Sequence, residues 1–555
     1  MVKKSGKRPR KFIVITGGPM SGLGKGTAAA SIGRILAPNY RVLPIKFDGY
    51  LNADPGTQNP EQHGEVFILD DGREVDMDFG HYERFIGVNC KIEWSITMGR
   101  VLDEIREKER NGNYAGETIR YVPHVVEHIQ EKILSISDKE NADVVLIEIG
   151  GTPWQDESRP GIESVRRLKD KVGEENILYC HLTWIDYLRC VQENKTALAQ
   201  IDLEILRRLG ITPDILIARC ETVDGIDDEK KNKIADASGI SIESIMLAPD
   251  TKTIYEIPLN FYNGEIFDMI NDRLLNNKSS KETRAEARRL DSSMKSLESL
   301  VSKIKNPNKK KISIAICGKY MKLQDSYASV REALAHAAAN LDVTVDISWV
   351  DAEKIENNPG QFLGGNIAGL IVPGGYGKRG VEGMVTAIKY ARDNKMPYLG
   401  LGYGLQLAVI EFARNVCKME DAHTTEIDKD TKHPVICIME SQENVTKLGG
   451  TQRLGGYDAV LKQGSLVQRL YNSDKCRERH RHRYEVNPGF HEELTKNGLL
   501  FSGMSPDGKL VEFIELPQHP FFVGTQAHNE LTSKLETPNP LFFGFVKAAI
   551  KYSKS

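Results

Sequence analysis

The stretch KFIVITGGPMSGLGKGTAAASIGRIL, Lys11 to Leu36, runs from a β-branched apolar segment through a glycine-rich loop into a helical period. Strand, loop and helix in that order point backbone N–H groups at phosphate oxygens. The helix N-terminus adds partial positive charge and Lys25 a full one. The loop departs from G-x-x-x-x-G-K-[ST]: Gly18 stands one place early, and Gly26 takes the hydroxyl position with Thr27 after it. The same alternation continues in YRVLPIKFD, ADVVLIEIGG, NILYCHLTW and PDILIARC, which predicts a parallel sheet covered by helices on both faces. Carboxylates that could hold magnesium beside bound phosphate follow, Asp76 and Asp78 in EVDMDFGHYERF and Glu148 at the end of an apolar strand. Together they point to ATP-dependent phosphoryl transfer.

The 555 residues carry a formal net charge of -3, with 40% hydrophobic and 27% charged residues, a balance for two or three globular domains. Near-neutral charge gives no argument for nucleic acid, and no apolar run reaches the ~20 residues that span a bilayer. The basic start MVKKSGKRPRK reads as a solvated tail. Eight scattered cysteines without C-x-x-C pairing read as reduced thiols of a cytoplasmic protein. Near Asn276 the composition turns charged and helix-prone up to a lysine run, so the domain boundary is placed there. The expected division is 1–275, a helical linker 276–310, and 311–555, where KISIAICGKY, VTVDISWV and IAGLIVPGG restart the α/β rhythm.

In that second half MPYLGLGYGLQLAVIEFARN, Met396 to Asn415, is a strand, a sharp glycine turn and a helix, the mounting on which α/β enzymes display a nucleophile. Its tip is Gly402.

Nearly end to end the chain resembles the CTP synthases, through TGGPMSGLGKGTAAASIGRIL, DPGTQNPEQHGEVFILDDGREVDMDFGHYERFIG, VVLIEIGGT, GGYGKRGVEGM and ERHRHRYEV. The resemblance implies an α/β protein: an N-terminal P-loop-type parallel-sheet synthetase domain plus a C-terminal class I glutaminase-like α/β domain. It implies ATP and Mg2+ as cofactors, phosphorylation of the O4 of UTP, and displacement of that phosphate by ammonia drawn from glutamine through a tunnel. Carried over by motif, Ser21, Gly22, Leu23, Gly24, Lys25, Gly26 and Thr27 hold nucleotide phosphates. Lys25 and Lys46 stabilise the transferring phosphate, and Asp78 and Glu148 hold the metal. Ser21, Gln155, Glu157, Lys195, Thr196, Gln200 and Lys233 take the acceptor. Gly375, Gln406, Glu426 and Arg483 form the glutamine pocket, with His528 and Glu530 as base and orienting acid. GYGKRGVEGM matches the lid associated with GTP, and a homotetramer without nucleic-acid or membrane partners is expected.

Several positions depart from the family. Gly402 replaces the nucleophilic cysteine, so no thioester can form. Cys417, expected well along the following helix, is no substitute. H-P-E is H-N-E at Asn529, the acceptor aspartate is Gln155, a clamp lysine is Ala197, and D-P-Y is D-G-Y at Gly49. The leading expectation is an amidoligase with an inactive glutaminase half, aminating UTP or a related acceptor with ammonia or another amine. Alternatives are a non-catalytic nucleotide-binding paralogue that assembles with an active synthase, and a Cys→Gly variant of a glutamine-hydrolysing enzyme.

Overall fold

The computed structural model describes residues 9–58, 64–264, 266–275, 280–306, 310–319, 324–439, 442 and 450–554. Most of the basic tail and parts of the 276–310 linker lie outside the described residues. The chain divides into two compact units, Met1–Asp54 with His81–Val301, and Pro55–Gly80 with Ser302–Ser555.

In the first unit seven strands form one sheet: β1 (Lys11–Gly17), β2 (Val42–Asp48), β3 (Ser95–Thr97), β4 (Val144–Ile149), β5 (Ile177–Trp184), β6 (Ile215–Cys220) and β7 (Ile245–Pro249). Their spatial order is β7-β6-β5-β1-β4-β2-β3, and every pairing is parallel. Buried on both faces, such strands need continuous apolar runs, and Ile13, Val14 and Ile15 are fully buried. β1 lies where the chain's crossovers change direction, so the crevice for ligands opens at its carboxyl end. Near the carboxyl ends of the strands charged residues enter the sheet, and Lys46 of β2 is in register with Glu148 of β4.

Five helices matter to the argument: α1 (Lys25–Leu36), α2 (Asp78–Ile86), α3 (Ala197–Arg208), α4 (Asp228–Ser238) and α5 (Ser280–Lys305). The last occupies much of the expected linker. It buries a stripe of Leu290, Met294, Leu297 and Val301, while Arg289 Nε donates to Asn39 Oδ1 at 2.7 Å.

The second unit has a nine-stranded mixed sheet: β8 (Lys311–Gly318), β9 (Thr344–Asp351), β10 (Ile367–Val372), β11 (Tyr398–Leu401), β12 (Arg453–Leu461), β13 (Lys475–His482), β14 (Leu500–Met504), β15 (Val511–Glu515) and β16 (Phe522–Thr525). The order is β9-β8-β10-β11-β16-β15-β14-β12-β13. The first five are parallel and the rest antiparallel. The segment 55–80 belongs to this unit because β13 holds it. Arg479 Nη1 donates to Ile68 O at 3.0 Å, and Arg481 pairs with Glu74 at 2.8 Å.

After β11 the chain turns at Gly402 into α6 (Tyr403–Asn415), whose Leu405, Leu407, Ala408, Val409 and Ile410 are fully buried. Cys417 does not lie along this helix as expected: α6 ends at Asn415, and Cys417 follows its cap, half-buried. Val416 and Cys417 both return their N–H groups to Phe412 O, which closes the helix before the thiol is reached. All eight cysteines are free; among them Cys190 is exposed, and Cys90, Cys180, Cys220 and Cys317 are buried. Among the described residues no helix is long and apolar enough to cross a membrane.

Candidate active sites

The glycine loop lies between β1 and α1. Gly24 caps α1 at φ 91°, and Gly22 has φ 76°, left-handed conformations that glycine adopts without steric cost. Ser21 and Gly22 are exposed, Gly24 and Thr27 half-buried, and Leu23, Lys25 and Gly26 buried. Lys25 stands at the first position of α1 with only 8% exposure, and its Nζ donates to Gly151 O at 2.7 Å. That bond holds a cation between the start of α1 and the turn after β4, at the end of the helix where the dipole adds positive charge. Arg219 Nη1, from the end of β6, donates to Leu23 O at 3.1 Å and fixes the loop from outside.

Lys46 is 4% exposed and faces Asp48 at 3.7 Å. Glu148, 2% exposed, accepts the hydroxyl proton of Tyr82 from α2. Asp78 heads α2, and its N–H is taken by Asp76 Oδ1 at 3.0 Å. Among the described residues no group of three or more His, Cys, Asp or Glu is gathered as a metal cage. Mg2+ needs only a few carboxylates of its protein, since it keeps waters and takes phosphate oxygens for the remaining positions.

The acceptor candidates fall into two groups within the first unit. Gln155 and Glu157 are exposed in the loop after β4; Gln155 Oε1 accepts from Thr152 N at 2.8 Å. A Cβ on Gly49 would approach the Glu157 carbonyl oxygen to 2.3 Å, so glycine there lets this loop lie on the end of β2. Lys195 ends a short hairpin (Asp186–Leu188 with Glu193–Lys195) and pairs with Glu193 at 2.5 Å. Thr196 precedes α3, and its hydroxyl accepts from Gln200 Nε2 at 2.8 Å. Lys233, on α4, pairs with Glu229 at 2.8 Å. The bond from Lys195, with the nearby charges of Lys230 and Lys233, holds Glu193 below its ordinary range.

In the second unit Gly402 adopts φ 52° and ψ −102°, and its N–H donates to Thr525 O at 2.8 Å. A Cβ at this position would stand 3.2 Å from His528 Nε2. His528 Nδ1 bonds Glu530 Oε1 at 2.7 Å, and the backbone N–H of His528 donates to Arg479 O at 2.7 Å. The His528–Glu530 pair is therefore assembled and directed at Gly402, a position that carries no side chain. Gly375, Gln406, Glu426 and Arg483 line the same cavity of about 580 Å³ as His528 and Glu530. Gln406 Nε2 donates to Tyr484 O at 3.0 Å, Glu426 Oε1 accepts from Gly377 N at 2.7 Å, and Arg483 bonds Gln442 and Thr451 at 2.6 and 2.7 Å. Asn529, fully buried, donates to Tyr471 Oη at 2.7 Å.

Two residues that sequence reasoning missed shape this cavity. Lys319, one residue past β8, donates to Tyr376 O at 2.6 Å and to Gly377 O, and stands 4.6 Å over the Tyr403 ring. Burial brings its amine down to about 8, against the pull of Glu426. Burial pushes Glu426 up, opposed by the Gly377 N–H and Lys319. Tyr403 donates its hydroxyl to Gly377 O at 3.0 Å.

A family model described as CTP synthase N-terminus matches residues 11–275, and one described as Glutamine amidotransferase class-I matches residues 322–548. The CTP synthase of Borreliella burgdorferi is 45% identical over 550 residues, covering 98% of this chain and 100% of that protein. That of Methanopyrus kandleri is 46% identical over 543 residues, covering 97% and 99%. Among solved structures, the Trypanosoma brucei CTPS glutaminase domain with bound acivicin is 38% identical, with 43% of this chain and 94% of that one covered and a TM-score of 0.41. With identities of 45% and 46% over 550 and 543 residues, this chain is a member of the CTP synthase family.

Proposed function

We propose that this chain is a CTP-forming ligase that draws ammonia from solution, because its own glutaminase step is absent. The acceptor's O4 attacks the γ-phosphorus of ATP and ADP leaves; ammonia then adds at C4, and phosphate departs with that oxygen while the nitrogen loses a proton. Lys25, on the first turn of α1, stabilises charge on the transferring phosphoryl group, as does Lys46, in register with Glu148 on the sheet. Asp78 and Glu148 would hold magnesium, which neutralises phosphate charge in such transfers. Lys195, Thr196, Gln200 and Lys233 hold the acceptor's phosphates, and Gln155 and Glu157 its nucleoside part.

The observation that carries the loss of glutaminase is Gly402: His528 can accept a proton, but no side chain offers one to it. The pocket retains Gln406, Glu426 and Arg483, so glutamine binds there without being cleaved. The discriminating experiment compares CTP formation from UTP and ATP with ammonium or glutamine as nitrogen source. Formation with ammonium and none with glutamine supports the reading; equal rates with glutamine overturn it. UDP, UMP and uridine in place of UTP test the acceptor, whose site differs from the family's at Gln155, Ala197 and Gly49.

A further inference from the structure

Behind the glycine loop lies a polar cluster that none of these steps uses. Asp202 sits on the inward face of α3 beside Ala199, Leu203 and Leu206, all four fully buried. Its Oδ2 accepts from the Thr183 hydroxyl at 2.8 Å and lies 3.0 Å from His181 Nε2. A proton on Nε2 leaves Nδ1 to accept the Thr16 hydroxyl at 2.8 Å. Thr16 is the residue before Gly17 and Gly18, where the phosphate loop begins. The other oxygen, Oδ1, is buried without a hydrogen-bond partner among the described residues, and a Cβ added to Gly18 would come within 2.3 Å of it.

A carboxylate in an apolar helix face, with one oxygen unpartnered among the described residues, is costly and calls for a structural reason. The reason here is placement. Asp202 touches the loop directly at Gly18 and indirectly through His181 at Thr16. The same helix follows Thr196 and carries Gln200, both acceptor candidates, within two turns of Asp202. A helix transmits a displacement of its first turn to the next as a rigid body.

We propose that Asp202 is a positioning residue that couples the acceptor end of α3 to the phosphate loop, so that acceptor binding sets the loop for ATP. The coupling rests on the reading of Thr196 and Gln200 as acceptor residues. In the free chain the loop is held by Asp202 in a place that depends on α3; with the acceptor bound, α3 is fixed and the loop with it.

The test is calorimetric titration of the full chain with a non-hydrolysable ATP analogue, without and with saturating UTP. UTP is expected to tighten the analogue at least about five-fold, and Asp202→Asn to reduce that factor below about two-fold. UTP alone is expected to bind the variant within about three-fold of the parent, a combination that a general loss of folding does not produce. Gly18→Ala perturbs the same contact from the loop side and is expected to uncouple likewise; it serves if Asp202→Asn does not fold. UTP that binds without tightening the analogue, or variants that keep the parent's tightening, overturn the coupling alone. UTP that gives no heat overturns the acceptor reading and the coupling with it.

Discussion

Gly402→Cys supplies the thiol that the His528 site lacks, and the structure fixes what it should cost and return. The new Cβ would stand 3.2 Å from His528 Nε2, so a thiol one bond further stays within reach of the base. It would also sit before the first turn of α6, where the helix dipole favours a thiolate. The backbone at φ 52° and ψ −102° suits glycine but strains any other residue by ~1–3 kcal/mol. At roughly 2–4 °C per kcal/mol for a domain of this size, melting should fall by ~2–12 °C. Gly402→Ala should fall by the same amount, since it pays the strain without gaining a nucleophile. Loss of a triad nucleophile costs ~10⁶ in kcat where the members act as a unit. With the neighbouring Asn529 and Tyr403 unaltered, we expect a gain of at least ~10³-fold in glutamate release over Gly402→Ala. The cysteine should also be alkylated by an electrophilic glutamine analogue, seen as a mass shift, and lose that reactivity when His528→Ala is added. A folded Gly402→Cys chain that releases glutamate no faster than Gly402→Ala refutes the reasoning. So does an unaltered chain that already hydrolyses glutamine at a rate near that of the cysteine variant.

Lys25→Met removes the cation bonded to Gly151 O while keeping its length; ammonium-dependent CTP formation should drop by ~10²–10³, with the melting temperature little changed. Tyr82→Phe deletes the hydroxyl that orients Glu148, so the magnesium concentration for half-maximal rate should rise by about 10–100-fold. Gly49→Ala drives a Cβ against the Glu157 carbonyl and should cost ~1–3 kcal/mol in urea unfolding while raising the acceptor KM. Burial alone would push the Glu104 carboxyl up, but hydrogen bonds from His128 and Lys132 outweigh it and bring it down to about 2 from 4.5. A carboxyl lowered on folding stabilises fully above its unfolded pKa. That contribution should therefore be complete above pH 4.5 and fade as pH falls towards 2, and Glu104→Gln should flatten this part of the acid-unfolding curve.

The local elements of both candidate sites were legible because local order carried them. A glycine loop between an apolar strand and a helical period can do little besides face an anion, and the elbow at Gly402 is written in ten consecutive residues. Glu148 stood out in the sequence because charge near the end of an apolar strand is expensive without a purpose, and Asp78 stood out only within the acidic stretch that leads into α2. What escaped depends on residues brought together from far apart. Arg219 reaches Leu23 across 196 positions, and Lys319 meets Gly377 across 58. Asp202 in LAQIDLEIL looks like an ordinary polar interruption of a helix until His181 and Gly18 are seen beside it. Residues 55–80 join the second unit through side chains of β13, which no change of composition announces.

The turn before Lys195 has a practical use. Cys190 lies in that hairpin, between Leu188 and Glu193, and is the exposed thiol among eight. A maleimide fluorophore added at one equivalent should label it in preference to the buried thiols, in the native sequence. The dye would then stand on the segment that leads into Lys195 and Thr196, and its brightness or anisotropy would follow acceptor arrival in real time, in a stopped-flow cell, without engineered cysteines.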